Sequence, residues 1–188
     1  LLSLRKIPAR IEGFDISHMG GVNVVASMVV FTNGVSNRSE YRKFKTKIEQ
    51  NDDYASMSET IMRRLSQKNI KAWGMPDLIL IDGGKGQLDA AIKAMNAVDV
   101  AVPVISIAKR EEEIIIHPTR SHIDTAFLLS MIKEPDESLL VEKSGEYIVV
   151  NLHPGQLNAS SHSKNLRGAP RNNTHSDVVK LFQRIRDE

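Results

Sequence analysis

The clearest alternation in the chain runs from Arg10 to His18. Ile11, Gly13 and Asp15 share one face and Glu12, Phe14 and Ile16 the other, which predicts a β-strand carrying an acid. Gly20 to Asn23 reads as a turn, Val24 to Phe31 as a β-prone second strand, and Asn33-Gly34 as a hairpin turn. Ser39 to Thr46 is expected to form a third strand, with Arg42, Lys43, Lys45 and Lys47 along it as a solvated edge that resists sheet-to-sheet pairing, in preference to a phosphate-binding role. The pattern then changes period. Tyr54, Met57, Ile61 and Leu65 make a helical stripe behind Asn51-Asp52-Asp53, predicting a helix over about 53–68 whose polar side carries Arg63, Arg64 and Lys68. Leu78 to Ile81 is a short, continuous apolar run, the signature of a strand buried on both faces. Leu88, Ala91, Ile92 and Met95 recur at helical spacing after it, and Pro103 to Ala108 forms another short apolar strand.

From Ile114 onward the pattern weakens. Ser121 to Lys133 is expected to be helical, Leu139 to Val150 a hairpin around Ser144-Gly145, and His153 to Asn173 a long mobile loop. Thr174 or Ser176 caps a final helix with Val178, Phe182 and Ile185 as its buried stripe and Lys180, Arg184 and Arg186 outward. A meander followed by alternating helices and strands predicts an α/β fold, a mixed sheet flanked by helices.

Composition narrows the chemistry. The 188 residues are 41% hydrophobic and 26% charged, which suits a single domain, and the net charge of +2 is too small to prove a nucleic-acid partner. With no cysteine, thiolate metal sites and cysteine nucleophiles are excluded, so any metal must be held by oxygen or imidazole. No apolar stretch is long enough to span a membrane and no signal peptide is recognisable, so a cytoplasmic protein is expected; the start at Leu1 suggests a piece of something longer.

The candidate chemistry centres on Asp82. It ends the Leu78 strand and is followed by Gly83, Gly84 and Gly86, which place a carboxylate on a rigid sheet rim beside a sharp turn suited to a metal or a phosphate. The spacing is not that of a Walker loop, and a plain strand-to-helix turn with a capping Asp accounts for this stretch alone equally well.

Several separate stretches carry a family resemblance in the right order: Phe14-Asp-Ile-Ser-His18, Asp52-Asp-Tyr54, Leu80-Ile-Asp-Gly-Gly-Lys-Gly-Gln-Leu88, Ala108-Lys-Arg-Glu-Glu-Glu113 and Gln183-Arg-Ile-Arg-Asp-Glu188. Together they resemble the C-terminal endonuclease domain of UvrC, the incising component of the bacterial excision-repair excinuclease. The resemblance implies a ribonuclease H-like fold and incision 5′ to a lesion in damaged double-stranded DNA, with UvrB as partner and Mg²⁺ or Mn²⁺ as cofactor. Asp15 and Asp82 fall on that family's catalytic, metal-holding aspartates, and Asp53 matches a third acid. The family's final motif continues to a catalytic histidine two residues past Glu188, so the fragment is expected to be inactive; none of His18, His117, His122, His153, His162 and His175 matches that position. Two carboxylates on one cation, with that histidine as proton acceptor, imply a one-metal mechanism. The stretch at about 117–173 reads as an insertion longer than the family's usual connection. Lys85, Arg64, Arg184 and Arg186 are the candidate DNA contacts. The competing expectation is a nucleic-acid-binding module of the same fold that never cuts.

Overall fold

Strand β1 (Arg10–Met19) sits near the middle of the sheet and fixes the position of everything around it. The computed structural model describes residues 2–19, 23–46, 48, 52–108, 113–133, 140–151 and 174–188. β1 pairs antiparallel with β2 (Asn23–Thr32) on one side and parallel with β5 (Leu78–Asp82) on the other. β2 is flanked by β3 (Val35–Ser36) and β4 (Arg42–Lys45), both antiparallel to it. Beyond β5 lie β6 (Val104–Ala108, parallel), β7 (Glu113–Ile116), β9 (Tyr147–Asn151) and β8 (Leu140–Ser144), the last three joined antiparallel. The described residues thus form one mixed sheet of nine strands.

Helices cover both faces. α1 (Asp53–Arg64) and α3 (Lys85–Ala97) bury Met57, Ile61, Leu88, Ile92 and Met95 against Phe14, Ile79 and Ile81. On the other face α4 (Ala126–Lys133) and α5 (Thr174–Asp187) set Leu128, Met131, Phe182 and Ile185 against Ile11, Leu78, Leu80 and Ile107. β5 feeds both layers because its successive side chains alternate between them, which is why its sequence shows no polar gap until Asp82. Fully burying each such side chain contributes about 1.5–3 kcal/mol, so the two layers hold the sheet rigidly from both sides.

Three expectations are corrected and one strand is added. The third strand is not continuous over 39–46. A 3-10 turn at Arg38–Glu40 interrupts it, held where Ser39 Oγ donates to Asn37 Oδ1 (2.7 Å) and Asn37 Nδ2 donates to Glu40 (2.9 Å). The helix expected over 53–68 ends at Arg64; Ser66 caps a separate α2 (Gln67–Trp73), which stops at Gly74 with φ +79°. β7 had no expected counterpart. The helix expected from Ser121 begins only at Ala126, whose N–H is capped by Asp124 Oδ1 (3.0 Å), because Ser121 Oγ is already accepting from the His117 N–H (2.9 Å). The helix start at 51–53 is set by Asp52, whose Oδ1 accepts from the N–H groups of Tyr54 and Ala55 (both 3.0 Å). The loop expected over 153–173 lies outside the described residues.

Candidate active site

Asp15 and Asp82 meet through strand register. The β1–β5 ladder pairs Ile11 with Leu78, Gly13 with Leu80 and Phe14 with Ile81, and one further step sets Asp15 beside Asp82. Paired residues on neighbouring strands point to the same face, and their backbones are about 4.8 Å apart. That face is the one covered by α5. Gly13 lets α5 come close: a Cβ there would lie 2.8 Å from Ile185 Cγ2 and 2.9 Å from Val29 Cγ2. The helix end therefore closes a cleft of about 130 Å³ lined by Asp15, Ser27, Asp82, Ile185, Arg186 and Glu188. Ser17 Oγ donates to Asp15 Oδ2 at 2.9 Å and fixes that carboxylate's orientation. Glu188 accepts from Arg38 Nε (2.7 Å), with Nη2 also 2.7 Å away, which pins the end of α5 to the 3-10 turn. At the glycine turn, the Gly84 N–H donates to Gln87 Oε1 (3.1 Å), and a side chain at Gly83 would collide with Gln87.

Of the sequence-predicted site residues, the cleft gathers Asp15, Asp82 and Arg186. Asp53 does not line it. It stands at the first turn of α1, on the opposite layer, with Oδ1 2.8 Å from His18 Nε2. Arg64 is corrected outright as a DNA contact: its side chain is 0% exposed and donates from Nε and Nη2 to the two oxygens of Glu12 (2.8 and 2.7 Å) and from Nη2 to the Gly74 carbonyl (2.7 Å). A group sealed from water cannot meet a phosphate. Lys85 turns toward the β8–β9 hairpin, donating to Ser144 Oγ (2.8 Å), with its ammonium 5.4 Å from the Tyr147 ring centroid. Arg184 is exposed and lies over Phe31, which pairs with Ile11 four residues back from Asp15, or about 13 Å along the strand. Ser17, Ser27 and Glu188 were missed. The signal for Ser17 is its place two residues after Asp15 on the same face, and Glu188 ends the Gln183–Glu188 motif; nothing in the sequence marks Ser27.

A second polar group ties the hairpin to α3. Tyr147 donates to Asp89 Oδ2 (2.7 Å), and Arg120 Nη2 donates to Asp89 Oδ1 (3.1 Å). Burial, then the hydrogen bond to the Asp89 carboxylate, pushes the Tyr147 hydroxyl up to about 12. His117 packs edge-on against the Tyr147 ring, and burial followed by the nearby Arg120 charge lowers its pKa below the ordinary value of 6.5.

The donor set of the cleft suits a hard cation. Aspartate oxygens are the ligands Mg²⁺ and Mn²⁺ prefer, and Mg²⁺ is commonly bound through only one or two protein carboxylates with waters filling the rest of its shell. Among the described residues no three acid or imidazole groups converge on one point, so those residues would offer two ligands, Asp15 and Asp82.

A meander continued by parallel strands, helices on both faces and acids on neighbouring central strands define an α/β protein of the ribonuclease H-like type. The chain belongs to the UvrC RNase H endonuclease domain family, whose model matches residues 1–188. It is 46% identical over 143 residues to the UvrABC system protein C of Methanosarcina barkeri, covering 76% of this chain and 26% of that one. It is 48% identical over 117 residues to that of Deinococcus radiodurans, covering 62% and 19%. The chain therefore spans about a quarter or less of the length of these relatives. Among solved structures, Ciona intestinalis endonuclease V in complex with a 24mer DNA superposes with a TM-score of 0.42 at 14% identity, over 77% of this chain and 71% of that one. Among the described residues no helix is long and apolar enough to cross a membrane.

Proposed function

We propose that this domain hydrolyses a DNA phosphodiester with Mg²⁺ or Mn²⁺ held by Asp15 and Asp82. It does so as the part of an excision-repair excinuclease that cuts 5′ to a lesion in double-stranded DNA, with UvrB as partner and the cytoplasm as its setting. The observation that carries the reading is the in-register acid pair in a cleft roofed by α5. Membership of an endonuclease-domain family supports it from a separate direction. A bound cation would supply positive charge against the phosphate and lower the pKa of a water. Everything else is the task of the chain. Asp15, steadied by Ser17, and Asp82, on the rigid end of a strand buried on both faces, present oxygens from one side. Ile185 and Gly13 hold α5 close enough to limit water access, and Arg186 brings a guanidinium to the same cleft for a phosphate oxygen. Asp53, bonded to His18, lies outside this pair, on the other layer.

The test is Mn²⁺ binding followed by electron paramagnetic resonance, independent of cleavage. Removing an outer-shell partner of a metal ligand costs about 10–100-fold in affinity, so losing a ligand, by Asp15→Asn or Asp82→Asn, should cost at least about tenfold. Asp53→Asn should leave Mn²⁺ affinity unchanged. The same ligand substitutions, carried into a reconstituted excinuclease, should abolish the 5′ incision of a lesion-bearing duplex. Unaltered Mn²⁺ affinity in both ligand variants would sink the proposal and leave a non-cutting DNA-binding module as the account of the fold.

A further inference from the structure

The β4 edge lies in register with the acid pair. Its ladder with β2 sets Lys43 opposite Ser27 and Lys45 opposite Val25, and the β1–β2 ladder sets Ser27 opposite Asp15 and Val25 opposite Ser17. A single row therefore crosses the sheet from Lys43 through Ser27 and Asp15 to Asp82, and the next row runs from Lys45 to Ser17. The face is settled by Phe44, which is buried among the residues of the α1–α3 layer, so its neighbours Lys43 and Lys45 point to the α5 side with the carboxylates. Both lysines are exposed. Two strand spacings put the Lys43 backbone about 10 Å from that of Asp15, and Lys45 stands about 7 Å further along β4.

We infer that Lys43 and Lys45 form a phosphate-binding track that carries the DNA backbone into the Asp15–Asp82 cleft, an inference that rests on the nuclease reading above. The cleft itself is lined by three carboxylates, Asp15, Asp82 and Glu188, against one guanidinium, Arg186, and repels a polyanion unless further cations flank it. The cations nearest to hand are engaged elsewhere: Arg38 with Glu188, Arg186 with Asp187, and Lys85 with Ser144. Among the described residues neither Lys43 nor Lys45 is in an ion pair. The rival account is that lysines on an edge strand only discourage pairing with another sheet. That protection is already provided in other ways: β4 is four residues long, and Arg63 Nη1 donates to the Lys45 carbonyl (2.7 Å). The remaining β4 cation, Arg42, turns to the other layer, 5.2 Å from the Trp73 ring centroid. β4 thus sends two cations to the carboxylate face, at alternate positions along one line.

The experiment is fluorescence anisotropy of a short labelled duplex over a series of salt concentrations, with EDTA present so that nothing is cut. Removing one lysine–phosphate interaction lowers the slope of log affinity against log salt by about 0.9, so Lys43→Gln with Lys45→Gln should reduce it by about two and either single change by about one. Lys71→Gln with Lys93→Gln removes the same net charge from exposed positions on the opposite helical layer and should leave the slope as it was. Lys43→Arg with Lys45→Arg should keep the wild-type slope, since Arg binds phosphate as well. An unchanged slope in the Gln pair, or an equal fall in the helical-layer control, overturns the track. The outcome is separable from the nuclease reading: Asp82→Asn should lose Mn²⁺ while retaining the full slope. A failed track with cation loss intact, or the reverse, identifies which of the two proposals is wrong.

Discussion

Truncating Arg64 to Ala tests the most consequential placement in the fold, because the same residue would be a DNA contact if it faced outward. Arg64 and Glu12 are both 0% exposed. Without the guanidinium, Glu12 retains, among the described residues, only Arg10 Nε (2.6 Å), and Arg10 must also serve Glu40. Burial disfavours the Arg10 charge, but its hydrogen bonds to Glu40 and Glu12 outweigh that and raise its pKa, so Arg10 remains charged and cannot relax the cluster by losing a proton. Breaking one side of a buried ion pair costs about 3–5 kcal/mol, and the loss of the aliphatic stem adds to it. For a chain of this size 1 kcal/mol moves the melting temperature by roughly 2–4 °C, so Arg64→Ala should melt about 10 °C lower. The assay is a thermal melt beside a urea titration. A double replacement, Arg64→Met with Glu12→Leu, removes both charges and should recover most of the loss, because exchanging a buried pair for apolar groups is often neutral. The reasoning fails if Arg64→Ala melts within about 2 °C of wild type while the DNA-binding salt slope falls by about one, which is the behaviour of a residue bound to phosphate.

Gly13→Ala should push α5 away from β1, since the new Cβ meets Ile185 and Val29 at 2.8 and 2.9 Å; overpacking of this kind costs about 1–3 kcal/mol, and Mn²⁺ affinity should fall with the melting temperature. A variant with wild-type stability and Mn²⁺ binding would mean that α5 is not seated on Gly13. His117 makes stability depend on pH. Its folded pKa lies below 6.5, so between that lowered value and 6.5 the unfolded chain binds more protons. The stabilisation is complete above about 6.5 and declines as the pH falls through this window. Protonation also disturbs Nδ1, which accepts from the N–H groups of Thr119 (3.3 Å) and Arg120 (3.2 Å). Urea midpoints taken on both sides of that window should show the decline, and His117→Asn should flatten it.

Periodicity made much of the fold legible and hid the rest for identifiable reasons. β1 is readable from its alternation, α3 from its helical stripe, and β2 and β5 from β-prone or apolar runs of four residues or more. β7 is hidden because its apolar run, Ile114 to Ile116, is only three residues long, too short to mark a strand by alternation or by length. α2 was merged into the preceding helix because the break is made by the Ser66 side chain, and a single serine does not interrupt a helical pattern. Arg64 is the instructive case. It lies seven residues after Met57 and three after Ile61, on the apolar stripe itself, while Glu12 shares the Phe14 face of β1. Phase placed both in the core and residue type argued for the surface; a charge on each of two facing stripes is the sequence mark of a buried ion pair.

The site was legible as residues and illegible as an arrangement. Each acid could be assigned to a strand from its own neighbourhood, because alternation is a property of consecutive residues. Whether two such acids share a face is a property of register, and that depends on which strands pair and where the ladders begin. Here the β1–β5 ladder starts at Ile11 and Leu78, so Asp15 and Asp82, each four residues on, arrive together. A slip of one residue would send one carboxylate into the α1–α3 layer and separate the pair. The slip is opposed on both sides of the sheet. Phe14 and Ile81 would have to leave one core while Leu80 left the other, at about 1.5–3 kcal/mol for each side chain exposed. The two hydrophobic layers therefore do more than stabilise the domain: by fixing the register they bring together carboxylates from strands 67 residues apart in sequence, and the same register aligns Lys43 with them.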